Sequence, residues 1–171
     1  MGFHLSMGRV LVLGAGLVGG WVADTLAADG HQVTAVDMDA SALAARAADV
    51  AVVHAPATDA MVDTHGPDVV VNTLPGRIGH GIRSGLLKRG CAVADLAFTA
   101  EDPGVLHDLA VQHDGRLVWD IGVAPGMSNL LLAEGVRRHG RLTRGRVRVG
   151  GNPVDTAVSY THLRAHETIL D

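Results

Sequence analysis

Gly14, Gly16 and Gly19 stand in G-x-G-x-x-G spacing, and Asp37 closes the next strand pattern. These are the residues whose types and spacing could do chemistry, and that chemistry is the gripping of a dinucleotide. Gly14 permits a tight turn, Gly16 lets the backbone approach a pyrophosphate, and Gly19 lets a helix lie close to a strand. The start of that helix offers unpaired N–H groups and the positive end of its dipole to a phosphate. Asp37 is placed to accept hydrogen bonds from a ribose 2′-hydroxyl. A 2′-phosphate there would meet like charge, and the neighbour is Met38 rather than an arginine. NAD is therefore the expected cofactor and NADP is disfavoured.

Glycine spacing alone carries little; its setting decides. Residues 10–13 form a short apolar run that reads as a buried strand. An apolar-periodic helix through Val18, Val22 and Leu26 follows and stops at Asp29-Gly30, and residues 32–36 read as the second strand. Further along, strands are expected at 50–53, 68–73, 91–95 and 117–120. Helices are expected at 40–48, 58–64, 78–89, 101–114 and from 126 or 128 to 138. Strands alternating with helices predict an α/β fold, a doubly wound parallel sheet of the Rossmann type. Ligands gather at the carboxyl ends of such strands. Here those loops hold residues 14–19, 37–38, 73–76, 95–98 and 120–126.

Composition narrows the function classes. Apolar residues make up 47% and charged ones 19%, which suits a folded globular core. The net charge of −4 gives no support for binding nucleic acid or an anionic membrane. Arginines 137, 138, 141, 144, 146 and 148 read as a helix end and a half-solvated strand, not a nucleic-acid patch, because no aromatic residues interleave them. No apolar run other than the one carrying the glycines is long enough to suggest a membrane span or leader, so the cytoplasm is the default location. The single cysteine, Cys91, excludes an internal disulfide framework and reads as a structural thiol. Lys88 is the only lysine. Asp24, Asp49, Asp63 and Asp68 read as solvated charges, and of the scattered histidines only His80 lies near an expected ligand loop. No metal site is expected.

Together the segments VLVLGAGLVGG (10–20), DVVVNTLPG (68–76), CAVADLAF (91–98), IGVAPGMSNLL (121–131) and RVGGNP (148–153) resemble the saccharopine dehydrogenase-like proteins, including lysine 6-dehydrogenase. The resemblance spans about residues 8 to 153. It implies an NAD(P)-dependent oxidoreductase moving hydride at a C–N bond of an amino acid or imine. By the resemblance, Gly14, Gly16, Leu17, Val18, Gly19, Asp37 and the adjoining Met38 hold the ADP half of the cofactor. Thr73, Leu74 and Pro75 lie along it, and Asp95, Gly122 and Val123 approach the nicotinamide. A second domain supplies the substrate pocket in that family, so no catalytic acid or base is assigned.

The expected organisation is a dinucleotide-binding domain at 8–140, the truncated start of a substrate domain at 141–156, and a non-native tail at 157–171. AVSYTHLRAHET (157–168) resembles translated read-through of a transposase-type sequencing adapter. His162 and His166 there have helix-face metal spacing, but no third ligand accompanies them. The chain is accordingly expected to be a cofactor-binding fragment that turns nothing over. The partners expected for the intact parent are a small amino-acid or imine substrate and, as an open option, a second copy in a homo-oligomer; nucleic acid and membrane are not expected. The alternative is a non-catalytic NAD(H)-sensing module like the regulatory domains of potassium transport systems, whose opening resembles residues 10–37. Such modules carry Gly-Asp after the third strand, where this chain has His54-Ala55-Pro56, and lack APGMSN.

Overall fold

The first strand explains the architecture. In β1 (Arg9–Leu13) every residue after Arg9 is buried, so both faces of the strand must be covered. The computed structural model describes residues 7–141 and 143–147. Within them β1 is central to a six-stranded parallel sheet of order β3-β2-β1-β4-β5-β6. Its other strands are β2 (Gln32–Asp37), β3 (Ala51–His54), β4 (Val69–Asn72), β5 (Ala92–Asp95) and β6 (Arg116–Val118). The crossovers hold α1 (Leu17–Ala28), α2 (Ala40–Ala44), α3 (Met61–His65), α4 (Gly76–Lys88) and α5 (His107–Gln112). The expected doubly wound α/β fold is the one found.

Alternation along β1 divides the core in two. Val10 and Val12 pack with Ala23, Ala27, Val33, Ala35 and Leu43 on the side of α1 and α2. Leu11 and Leu13 pack with Val36, Val62, Val70, Leu86 and Val93 on the side of α3 and α4. With few aromatics, close approach of small side chains does the filling.

Several element ends differ from expectation, each for a local reason. The expected helix at 40–48 ends at Ala44 because the Ala47 N–H donates to Asp24 Oδ1 at 3.0 Å. Asp24 also receives Arg46 NH1 at 3.0 Å, so it ties α1 to the chain after α2 and is not merely solvated. The helix expected at 101–114 is split into a 3-10 turn, Pro103–Leu106, and α5; Asp102 caps the turn by accepting from Gly104 N. Asp114 then takes a left-handed φ of 52°, which stops α5. Asp68 accepts from Arg9 N at 2.7 Å and pairs with its guanidinium, joining the starts of β1 and β4. Cys91 is half-buried, and burial pushes its thiol up, as befits a structural role.

The chain divides into two compact units, residues 1–119 and 120–171. The first holds the sheet. The described part of the second holds α6 (Met127–His139), whose Glu134 receives Arg137 and Arg138. No described helix is long and apolar enough to cross a membrane. Most of the segment expected to begin a substrate domain, and all of 157–171, lie outside the described residues.

The acid side of the stability profile follows from these carboxylates. Hydrogen bonds from Ser41 hold Asp39 below its ordinary range, the Arg9 N–H does so for Asp68, and Arg137 and Arg138 do so for Glu134. A depressed folded-state pKa contributes stability above the unfolded pKa and loses it as pH falls through the folded one. The thermal midpoint should thus hold level above about pH 5 and fall below about pH 4. Asp68→Asn should flatten part of that fall in a melting series across pH; an unchanged slope would remove Asp68 from the account.

Candidate functional site

Three strand ends meet at the glycine turn. Gly14 leaves β1 with φ 95°, donates its N–H to Val36 O at 2.9 Å, and so sits against the end of β2. Thr73, just after β4, donates its hydroxyl to the carbonyls of Leu13 and Gly14 at 3.0 and 2.9 Å. Asp37 at the end of β2 accepts from Ala15 N at 2.6 Å and from Asp39 N at 2.8 Å. Gly14, Gly16, Gly19, Asp37 and Thr73 are therefore brought together at the carboxyl ends of β2, β1 and β4, where the strand order reverses.

The glycines play different parts. A methyl group on Gly19 would lie 2.0 Å from Gly14 O and 2.3 Å from Thr73 Oγ1, so the helix can seat on the turn only without a side chain there. One on Gly16 would meet nothing within 4 Å. The space above Gly16 is open, and Gly16 itself is the N-cap of α1 with no side chain capping the helix and no acid in its first turn. Backbone donors, dipole and open space coincide there, and these residues fit a pyrophosphate. Leu17 is 99% exposed, Val18 is also exposed, and Met38 is exposed beside Asp37. A groove of about 510 Å³ runs from Gly16 past Trp21 to Asp39 and Ser41.

Leu74 is half-buried, its N–H donating to Asn72 Oδ1 at 3.3 Å, and Pro75 is exposed at the N-cap of α4. Asp95 ends β5, the strand end at which it was expected. Its side chain is fully buried, receiving Arg83 Nε at 2.6 Å, Asn72 Nδ2 at 3.2 Å and Ala97 N at 2.8 Å. Both of its oxygens are engaged within the protein. His80, the histidine singled out above, is half-buried, 3.5 Å from Arg83 NH1 and 3.8 Å from Glu101 Oε2.

Gly122 and Val123 belong to the second unit. There Gly122 O accepts from Met127 N at 2.9 Å and Val123 O from Ser128 N at 3.0 Å, shaping the start of α6. Gly126 N donates to Asn129 Oδ1 at 3.3 Å, and Val123 is exposed. Among the described residues, no group of three or more His, Cys, Asp or Glu could hold a metal ion.

Asn72 and Arg83 were missed. Their signal was present: Arg83 falls on the same stripe of α4 as Gly79, Leu86 and Leu87, a charge where apolar residues belong. Asn72 and Asp95 are register partners at the ends of β4 and β5.

A family model described as the NAD dependent epimerase/dehydratase family matches residues 10–99. The chain belongs to that family. Membership makes NAD the cofactor of this domain, as the glycine turn and Asp37 predict. Among solved structures the chain is similar to 3-hydroxyisobutyrate dehydrogenase of Mycobacterium tuberculosis with L-serine, at 26% identity over 65% of this chain and 39% of that one, TM-score 0.53. It is similar to the WlbA dehydrogenase of Chromobacterium violaceum with NADH and UDP-GlcNAcA, at 17% identity over 77% and 40%, TM-score 0.59. The prephenate dehydrogenase of A. aeolicus with hydroxyphenyl propionate and NAD+ matches at 22% identity over 68% and 42%, TM-score 0.51. The chain spans about two fifths of the length of these structures. They share the fold of the dinucleotide-binding domain.

Proposed function

We propose that this chain is the cofactor domain of an NAD-dependent dehydrogenase that oxidises a C–N bond of an amino acid, or reduces the corresponding imine. The observation that carries the cofactor half is the open N-cap at Gly16 beside the Asp37 carboxylate. The C–N half rests on the resemblance of residues 121–131 and 148–153 to saccharopine dehydrogenase-like proteins, which lies beyond the matched residues 10–99.

Bound NAD supplies a two-electron acceptor for hydride. The chain's own residues bind and orient it: the backbone at Gly14, Gly16, Leu17 and Val18 would hold the pyrophosphate, and Asp37 the adenosine ribose, with Met38 beside it. Thr73 fixes the turn, and Leu74 and Pro75 border the cofactor's path. Gly122 and Val123 are assigned to the nicotinamide side. The proposed boundaries are 8–140 for this domain, 141–156 for the start of a substrate domain and 157–171 for a non-native tail, in a cytoplasmic parent. The intact parent, given NAD and a panel of amino acids including lysine, should form NADH, followed by absorbance. Turnover of hydroxy acids or sugar nucleotides with no amino acid oxidised would overturn the C–N assignment.

A further inference from the structure

The buried ion pair Arg83–Asp95 anchors the loop after β5 and is linked through Asn72 to the loop after β4. Arg83 spends all three guanidinium nitrogens on one neighbourhood: Nε on Asp95 Oδ2 at 2.6 Å, NH1 on Thr99 Oγ1 at 3.2 Å, and NH2 on Ala97 O at 3.3 Å. Asp95 in turn receives Ala97 N and Asn72 Nδ2, and Asn72 receives Leu74 N while its amide also donates to Gly79 O. No buried side-chain polar atom among the described residues lacks a partner. The loop over this cluster is pressed onto α4. A methyl on Gly76 would lie 1.9 Å from Phe98 O, and one on Gly79 would lie 2.5 Å from Ala97 Cβ.

Burying two charges is expensive, and apolar residues of similar volume often serve stability as well. A pair kept here calls for a gain in geometry. Position supplies one. With the ribose at Asp37 on β2 and the pyrophosphate at α1, the remaining half of a dinucleotide runs the other way from β1, toward β4 and β5. At those two strand ends the pair holds loop 95–99 directly and reaches loop 73–76 through Asn72, which donates to Asp95 and accepts from Leu74 N.

We propose that Arg83 and Asp95 are positioning residues for the nicotinamide half of the cofactor: buried themselves, they hold loops 73–76 and 95–99 as one rigid wall. This rests on the reading of the crevice as an NAD site. A wall of fixed hydrogen-bonded loops lowers the ordering that binding would otherwise require. It acts on the nicotinamide and not on the adenosine, which separates it from a general stabilising role.

The test compares NADH with ADP-ribose, which lacks the nicotinamide, on wild type, Arg83→Lys, Asp95→Asn and the milder Thr99→Val, each checked for folding by circular dichroism. Calorimetry should show NADH affinity reduced about tenfold in the variants while ADP-ribose affinity holds. The fluorescence gain of bound NADH, which reports the nicotinamide's surroundings, should drop with it. Thr99→Val keeps the ion pair and removes only one arm of the clamp, so it supplies the result if the charged variants fail to fold. Equal loss for both ligands, or no loss for either, overturns the proposal. A folded wild type that binds ADP-ribose but gains nothing from the nicotinamide also overturns it and leaves the site reading standing. A folded wild type that binds neither ligand removes that reading, and the proposal with it.

Discussion

Gly19→Ala should lower the unfolding free energy by about 3 kcal/mol, near the upper end for overpacking, and the melting midpoint by roughly 10 °C. The reason is the identity of the neighbours. The added methyl would meet the Gly14 carbonyl at 2.0 Å and the Thr73 hydroxyl at 2.3 Å. One is backbone in the tight turn itself, and the other is held by two carbonyls, so neither can swing away. Relief requires α1 to lift from β1, which opens the core of Val12, Ala23 and Ala27. Gly20→Ala provides a graded comparison: its methyl meets the Arg46 guanidinium at 1.9 Å, the end of a flexible side chain, and the loss should be smaller. Gly16→Ala should leave the midpoint within a degree or two while weakening NAD about tenfold or more, since the methyl fills only ligand space. Thermal denaturation and calorimetry on the three variants check this order. Equal destabilisation by all three would mean that the turn is simply intolerant of side chains.

Arg83→Met is expected to be at least as damaging, at about 3–5 kcal/mol, the usual range when one partner of a buried pair is removed. Arg83 and Asp95 both have side chains with 0% exposure. Methionine fills much of the volume but leaves the Asp95 carboxylate without its cation. Asp95 would keep Asn72 and Ala97 N, which soften the loss but supply no positive charge. Arg83→Met combined with Asp95→Leu should recover part of it, because no charge then remains uncompensated. Urea denaturation of the two single variants and the double one forms the cycle. Additive losses would show that the pair is not coupled.

Why some of this was legible and some not follows from separation along the chain. The glycine turn, α1 and Asp37 form one continuous strand–turn–helix–strand unit. Their roles are written within residues 9–37 and need no distant partner to be read. The apolar run of β1 likewise announces burial on both faces. Asp95 was legible as a strand end at the crevice, but its partner Arg83 comes from the preceding helix and Asn72 from the neighbouring strand. Only the pairing of β4 with β5 brings them within hydrogen-bond distance. The Asp95 reading rested on resemblance alone, and the cation that the fold supplies to it lies 12 residues back in the chain. Asp24 too has a distant partner: on its own helix it looks solvated, and α2 ends where it does because Asp24 takes the Ala47 N–H. The helix expected at 101–114 shows local chemistry winning over periodicity, with Asp102-Pro103-Gly104 favouring a capped 3-10 turn.

Isothermal titration of the folded protein with NAD and with NADP tests the central claim most directly. Binding of NAD with NADP at least about tenfold weaker, and Asp37→Asn narrowing that gap, is the predicted result. No heat with either nucleotide, on protein shown to be folded, would contradict it.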